Sequence, residues 1–197
     1  MRSAKNTFPI TAGLILMFLV LTPGGGTSAQ EGNRLPKTIF IQATAMGQSQ
    51  QMGRLFSVNI WIEELSTPQD QKALLEAFNA KGNEGLVNAL SKMRSKGRVA
   101  ITGTLGYDVN YIRRFKQPDG STVIRLVTDR PLQFGEVWAD TRSSDYSLSG
   151  IEIIIPPDKK KSSGTLLPAC QFKLDKNKHL EIEAFQNPWK LTNISRR

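Results

Sequence analysis

Cysteine and histidine are almost absent from this chain of 197 residues, which has one of each, Cys170 and His179. With a single cysteine no intramolecular disulfide can form, so stability must come from core packing. Two nitrogen or sulfur ligands do not make a zinc site, which needs three or four. A histidine-based triad would depend on His179, in the charged run DKNKH, where exposure is expected and catalysis is not. A Cys170–His179 pair lacks an orienting third residue. Cys170 lies among Leu166, Leu167, Pro168, Ala169 and Phe172, an apolar setting that suits a buried, inert thiol. EF-hand, P-loop and dinucleotide-binding motifs are missing, so no cofactor and no metal is expected. Aromatics do not interleave with the basic residues, so no specific nucleic acid partner is expected either.

Long apolar runs are scarce as well. The longest uncharged one, Ile10–Leu21, has twelve residues, too few to span a hydrocarbon core of about 30 Å as a stable helix. Arg2 and Lys5 precede it, Thr22-Pro-Gly-Gly-Gly breaks it, and Thr27-Ser28-Ala29 supplies small residues. Residues 1–29 therefore read as a secretory signal peptide cut before Gln30, the alternative being an uncleaved anchor. No cysteine follows the cut, which argues against a lipid anchor. The expectation is an exported protein, periplasmic or extracellular, with no transmembrane span in the mature chain. Residues 30–197 are long enough for one domain with a sizeable core. Losing Arg2 and Lys5 lowers the formal charge from +9 to +7. That balance favours anionic partners such as an envelope polymer or a lipid surface.

What the chain does have is a run of strands around Gln117-Pro118-Asp119-Gly120. Pro118 presets φ, Asp119 suits the next position, and Gly120 can close a type I turn with a G1 bulge. This register sets Tyr111 opposite Val127, Arg113 opposite Arg125 and Phe115 opposite Val123. Arg114 with Ile124, and Ile112 with Leu126, take the other face. Arg98 to Leu105 supplies a preceding strand.

Earlier in the chain, Lys37 to Met46 and Arg54 to Leu65 alternate as strands one and two. Thr67 fits as an N-cap, with Pro68 at the first helical position and Asp70 at the positive end of the dipole. A helix to about Ala80 and a second from Asn83 to Arg94, separated by Gly82, read as a helical hairpin lying on a sheet. Later strands are Gly150 to Pro156, Thr165 to Leu174, His179 to Phe185 and Trp189 to Ile194. The class is α+β: a mostly antiparallel sheet of about eight strands, with the helical hairpin between strands two and three. A sheet of that width tends to curl into a partial barrel.

Directly opposed arginines repel unless something anionic intervenes. Arg113 and Arg125, with Arg114 and Arg130 close by, therefore form a candidate anion-binding face. The structural alternative is a carboxylate from a neighbouring strand. The aperiodic stretch Leu132 to Ser149 adds Trp138, Arg142 and Tyr146 as candidate binding residues, because long loops in compact domains tend to be functional. Three functions stay open: a non-enzymatic exported binding or envelope-associated protein, a carrier of an apolar molecule held between sheet and helices, and a carboxylate-based hydrolase of envelope polymers. No spacing singles out a catalytic pair, so no catalytic residue is assigned.

The segments RVAITGTLGYDV, RLVTDRPLQFGEVWADTRSSDY and FQNPWKLTNI resemble stretches of small exported bacterial proteins without an assigned function. The likeness covers roughly residues 98–194. It implies a bacterial, exported protein and no catalytic motif.

Overall fold

The computed structural model describes residues 34–133, 146–174, 180–184 and 187–197. In chain order these form β1 (Arg34–Met46), β2 (Leu55–Glu64), α1 (Pro68–Lys92), β3 (Gly97–Ile101), β4 (Tyr107–Val109), β5 (Tyr111–Lys116) and β6 (Thr122–Thr128). Then follow β7 (Leu148–Ile155), β8 (Ser163–Leu174), β9 (Leu180–Ala184) and β10 (Trp189–Arg196). The α+β class is correct.

Turn chemistry and alternation produce the central hairpin as the sequence predicts. Tyr111 faces Val127, Arg113 faces Arg125, and Phe115 faces Val123. Gly120 sits at φ +82°, and Gln117 N–H donates to Ser121 O at 2.8 Å. Asp119 locks the turn by accepting from the Ser121 N–H and hydroxyl at 2.8 and 2.9 Å.

Every ladder is antiparallel, in the order β4-β3-β2-β1-β10-β8-β7-β6-β5, with β9 paired to β8 off that path. The two ends of this path, β4 and β5, are consecutive in the chain and joined by Asn110 alone. The sheet therefore returns on itself as a nearly closed barrel. Asn110 N–H donates to Val127 O at 3.2 Å, and Ser66 N–H to Ile112 O at 2.8 Å, across the seam.

Alternate residues fill the interior: Ile39, Ile41, Ala43 and Ala45 of β1, Val58, Ile60 and Ile62 of β2, and Ile124, Leu126, Ile151, Ile153, Leu166, Trp189 and Leu191 from the opposite wall. Helix α1 packs on the outside. Leu74, Phe78, Leu86 and Leu90 cover Tyr111, Val127, Leu167, Cys170 and Phe172, and the Phe78 and Phe172 rings meet edge to face at 6.5 Å. Thr67 and Asp70 form a reciprocal capping box at its start.

Two expectations need correction. There is one helix between strands two and three, not a hairpin of two. Gly82, at φ +57°, breaks the helical geometry together with Lys81 but introduces no connecting loop. Immediately after the break, Asn83 takes both the carbonyl and the N–H of Phe172, at 2.7 and 2.8 Å. That contact keeps the second half on the same outer wall. The described strands number ten, not eight. Pairing extends β1 back to Arg34, and the expected strand Arg98 to Leu105 ends at Ile101. A turn with Gly103 and Gly106 at φ +90° and +77° then returns the chain as β4. The strand expected from Thr165 begins two residues earlier, at Ser163. No helix of the described residues is long and apolar enough to cross a membrane.

Candidate binding site at the barrel mouth

Barrel closure separates the arginines that the hairpin brings together. Arg113 and Arg125 share the outer face, while Arg114 shares the inner face with Ile124 and Ile153. Arg125 is buried and ion-paired to Glu152 of β7, its register partner, with Nε to Oε2 at 2.6 Å. Its guanidinium also stacks on Phe115, 5.1 Å from the ring centre. Arg113 donates to Gln71 of α1 at 2.5 Å. Burial raises the pKa of the adjacent Tyr111 hydroxyl, and the Arg113 charge and hydrogen bond offset part of that rise. The structural alternative, a carboxylate from the next strand, thus describes the surroundings of Arg125.

The other candidates lie apart. Arg130 is exposed and forks onto its neighbour Asp129 at 2.9 and 3.1 Å. Tyr146 is half-buried against β8 and β9, where burial first, and then the Glu183 charge and hydrogen bond, raise its pKa. Burial pushes the Glu183 carboxyl up, but hydrogen bonds from Lys173, Gln171 and Tyr146 outweigh it and hold the group below the usual carboxylate range. Trp138 and Arg142 lie outside the described residues.

The strongest site assembles elsewhere, where β1 begins and β7 and β10 end. A cavity of about 530 Å³ opens there, lined by Lys37, Thr38, Arg114, Lys159, Ser162, Arg196 and Arg197 above Leu35, Pro36, Ile39, Ile155 and Ile194. Its volume is in the range of about 300–1,000 Å³ usual for ligand pockets. Five of the lining residues are cationic and exposed. None of the five is in an ion pair with a described residue, and among the described residues no carboxylate side chain is in the lining.

Strand phase explains how these side chains meet. On β5, Arg114 follows Ile112 at the inward period of two. On β10 a bulge resets the phase. Thr44 pairs with Thr192 and Gln42 with Ser195, so β10 carries one extra residue there. Asn193 supplies it at φ +50°, a left-handed conformation that asparagine tolerates better than most residues. Leu191 is inward opposite Ala45; past the bulge, Arg196 is inward opposite Ile41. Without the extra residue, Asn193 and Ser195 would point to the interior in place of Ile194 and Arg196. Lys159 comes from the 3₁₀ turn Lys159–Lys161, capped by the Asp158 carboxylate.

Other chemistries find less. A cavity of about 30 Å³ lies beside Val127, Leu167, Cys170 and Phe172, room for about one water. Burial pushes the Cys170 thiol up to about 12. Lys96 is buried between Glu64 at 3.0 Å and Asp70 at 3.2 Å, tying β3 to the start of α1. No group of three or more metal-ligating side chains occurs among the described residues. Of the described candidate binding residues from the sequence, Arg114 alone lines the mouth. Its pairing with Ile124 was a signal for an inward cation; the convergence of Lys37, Lys159 and Arg196 on it had no local signal. Comparisons with family models, curated proteins and solved structures find no match to this chain.

Proposed function

We propose that the chain is an exported, non-enzymatic binding protein whose barrel mouth holds an anionic ligand. One observation carries this reading: five cations line a single cavity into which none of the described acidic side chains reaches. Like charges gathered around one opening repel, and an anion there removes that cost and adds charge-assisted hydrogen bonds. The leader-like first 29 residues and the +7 charge of the remainder agree with an exported partner for anionic envelope components. The Arg113–Arg125 face supports the reading less well, because Glu152 neutralises Arg125 there.

The test uses the chain from Gln30 and inorganic pyrophosphate, followed by ¹H–¹⁵N NMR. Shifts should concentrate at residues 35–39, 114, 155, 159–162 and 194–197, and weaken as salt rises. In the Arg114→Glu/Lys159→Glu/Arg196→Glu variant they should vanish, with the remaining spectrum unchanged. Pyrophosphate shifts centred elsewhere, or none, would overturn the assignment.

A further inference from the structure

The mouth differs from a plain anion site in what lies beneath its charges. A site for a hydrophilic anion is lined by polar donors throughout. Here Leu35, Ile39, Ile155 and Ile194, buried or half-buried, share the lining with the exposed cations. Ile39 belongs to the barrel core, and the other three pack against it. The lining is therefore continuous with the apolar interior. Arg114 marks the boundary on β5: Ile112, one inward position deeper, is fully buried, while Arg114 is exposed. On β10, Leu191 is buried at the deep end and Arg196 exposed at the rim, with Ile194 half-buried between them. Two strands of opposite walls thus grade from apolar to cationic toward the same opening.

Such a gradient favours a ligand with the complementary one. A highly charged polymer would satisfy the rim but leave the half-buried isoleucines in contact with water. A neutral apolar molecule would cover the isoleucines but leave the mutual repulsion of the cations in place. An anion carrying a hydrocarbon chain does both: its head neutralises the rim, and its chain displaces water from Leu35, Ile155 and Ile194. We infer that the ligand of the barrel mouth is a single-chain anionic amphiphile, its carboxylate or phosphate head held by Lys37, Arg114, Lys159 and Arg196 and its chain lying on Leu35, Ile155 and Ile194. This rests on the mouth being the anion site.

The ligand class can be read from a chain-length series, on the chain from Gln30 and below micelle-forming concentrations. Calorimetric titration with butyl, octyl and dodecyl phosphate should show affinity rising by up to roughly fourfold for each methylene buried. The rise should level off once the chain outgrows the cavity. Between butyl and octyl phosphate a gain of about 15-fold or more is expected, since even half of that per-methylene free energy compounds over four carbons. Laurate separates the two head groups. Binding as tight as dodecyl phosphate assigns a fatty-acid type of ligand, and much weaker binding assigns a phosphate-headed lipid.

Dodecyl maltoside, with the same chain and no charge, should bind far more weakly than either, and equal binding would overturn the inference. Ile194→Ser should flatten the chain-length series, lowering affinity for dodecyl phosphate by a larger factor than affinity for butyl phosphate. If all three phosphates bind no tighter than pyrophosphate, the amphiphile fails and the anion site stands. If neither pyrophosphate nor any amphiphile binds, both fail together.

Discussion

Replacing Glu152 by alanine isolates one buried charge in the outer wall of the barrel. Arg125 is only 3% exposed and Glu152 9%, and they meet across the β6–β7 ladder at 2.6 Å. Arg113 stands opposite Arg125 on the same face, so Glu152→Ala removes the facing carboxylate and leaves two opposed guanidiniums. Breaking a buried pair from one side costs about 3–5 kcal/mol, against a total stability of about 5–15 kcal/mol for a domain. At about 2–4 °C per kcal/mol for a domain of this size, the midpoint should fall by about 6–20 °C. Replacing both partners, as Arg125→Met/Glu152→Met, should recover most of the loss, because apolar side chains of similar volume avoid the desolvation of both ions. Urea unfolding followed by far-UV circular dichroism measures all three chains. Glu152→Ala costing under about 1 kcal/mol, with the double variant no better, would refute the idea that the arginine pair depends on Glu152. Pyrophosphate binding at the mouth should be unchanged in any folded member of the set, because Arg114 lies on the other face of the sheet.

Three further outcomes follow from local geometry. Asn193→Val places a β-branched residue at φ +50° and should cost about 1–2 kcal/mol. It should also weaken pyrophosphate binding, since the bulge phases Arg196 into the mouth, whereas Asn193→Gly should preserve both. Cys170, buried with its thiol pushed up to about 12, should resist a thiol reagent at pH 8 in the folded state and react on unfolding; fast labelling of native protein would contradict its burial. The pKa of Glu183 is lowered from 4.5. Its contribution is therefore full above the unfolded value and lost as pH falls below about 4.5 through the folded one. Glu183→Gln should flatten the acid limb of stability between pH 5 and 3, and an unchanged limb would count against the Lys173–Gln171–Glu183 contact.

Local chemistry was enough for the central hairpin. Proline, aspartate and glycine in succession specify one turn, and that turn fixes every partner from Tyr111 to Val127. The start of the helix was equally legible, because its capping box lies within four residues. The break in it was legible too, since helical geometry fails at Lys81 and Gly82; that no loop follows was not, and Asn83 ties the second half to the backbone of Phe172, 89 residues away. The same limit hid the mouth. Lys37, Arg114, Lys159 and Arg196 come from four separate segments, and barrel closure brings them together. Asn193 has no local mark that distinguishes a bulge from ordinary strand.

The distribution of acids gives the mouth its weight. Elsewhere, several cations held in or against the structure have a carboxylate: Arg125 has Glu152, Lys96 has Glu64 and Asp70, Lys173 has Glu183, and Arg130 has Asp129. None of the described acidic side chains lines the mouth. Inward positions at a barrel end can be closed with apolar side chains at no electrostatic cost, as Ile155 and Ile194 begin to do. Placing Arg114 and Arg196 in that phase instead forgoes burial and gathers like charge. Packing alone does not explain that arrangement, and the anion we propose for the mouth would offset the repulsion.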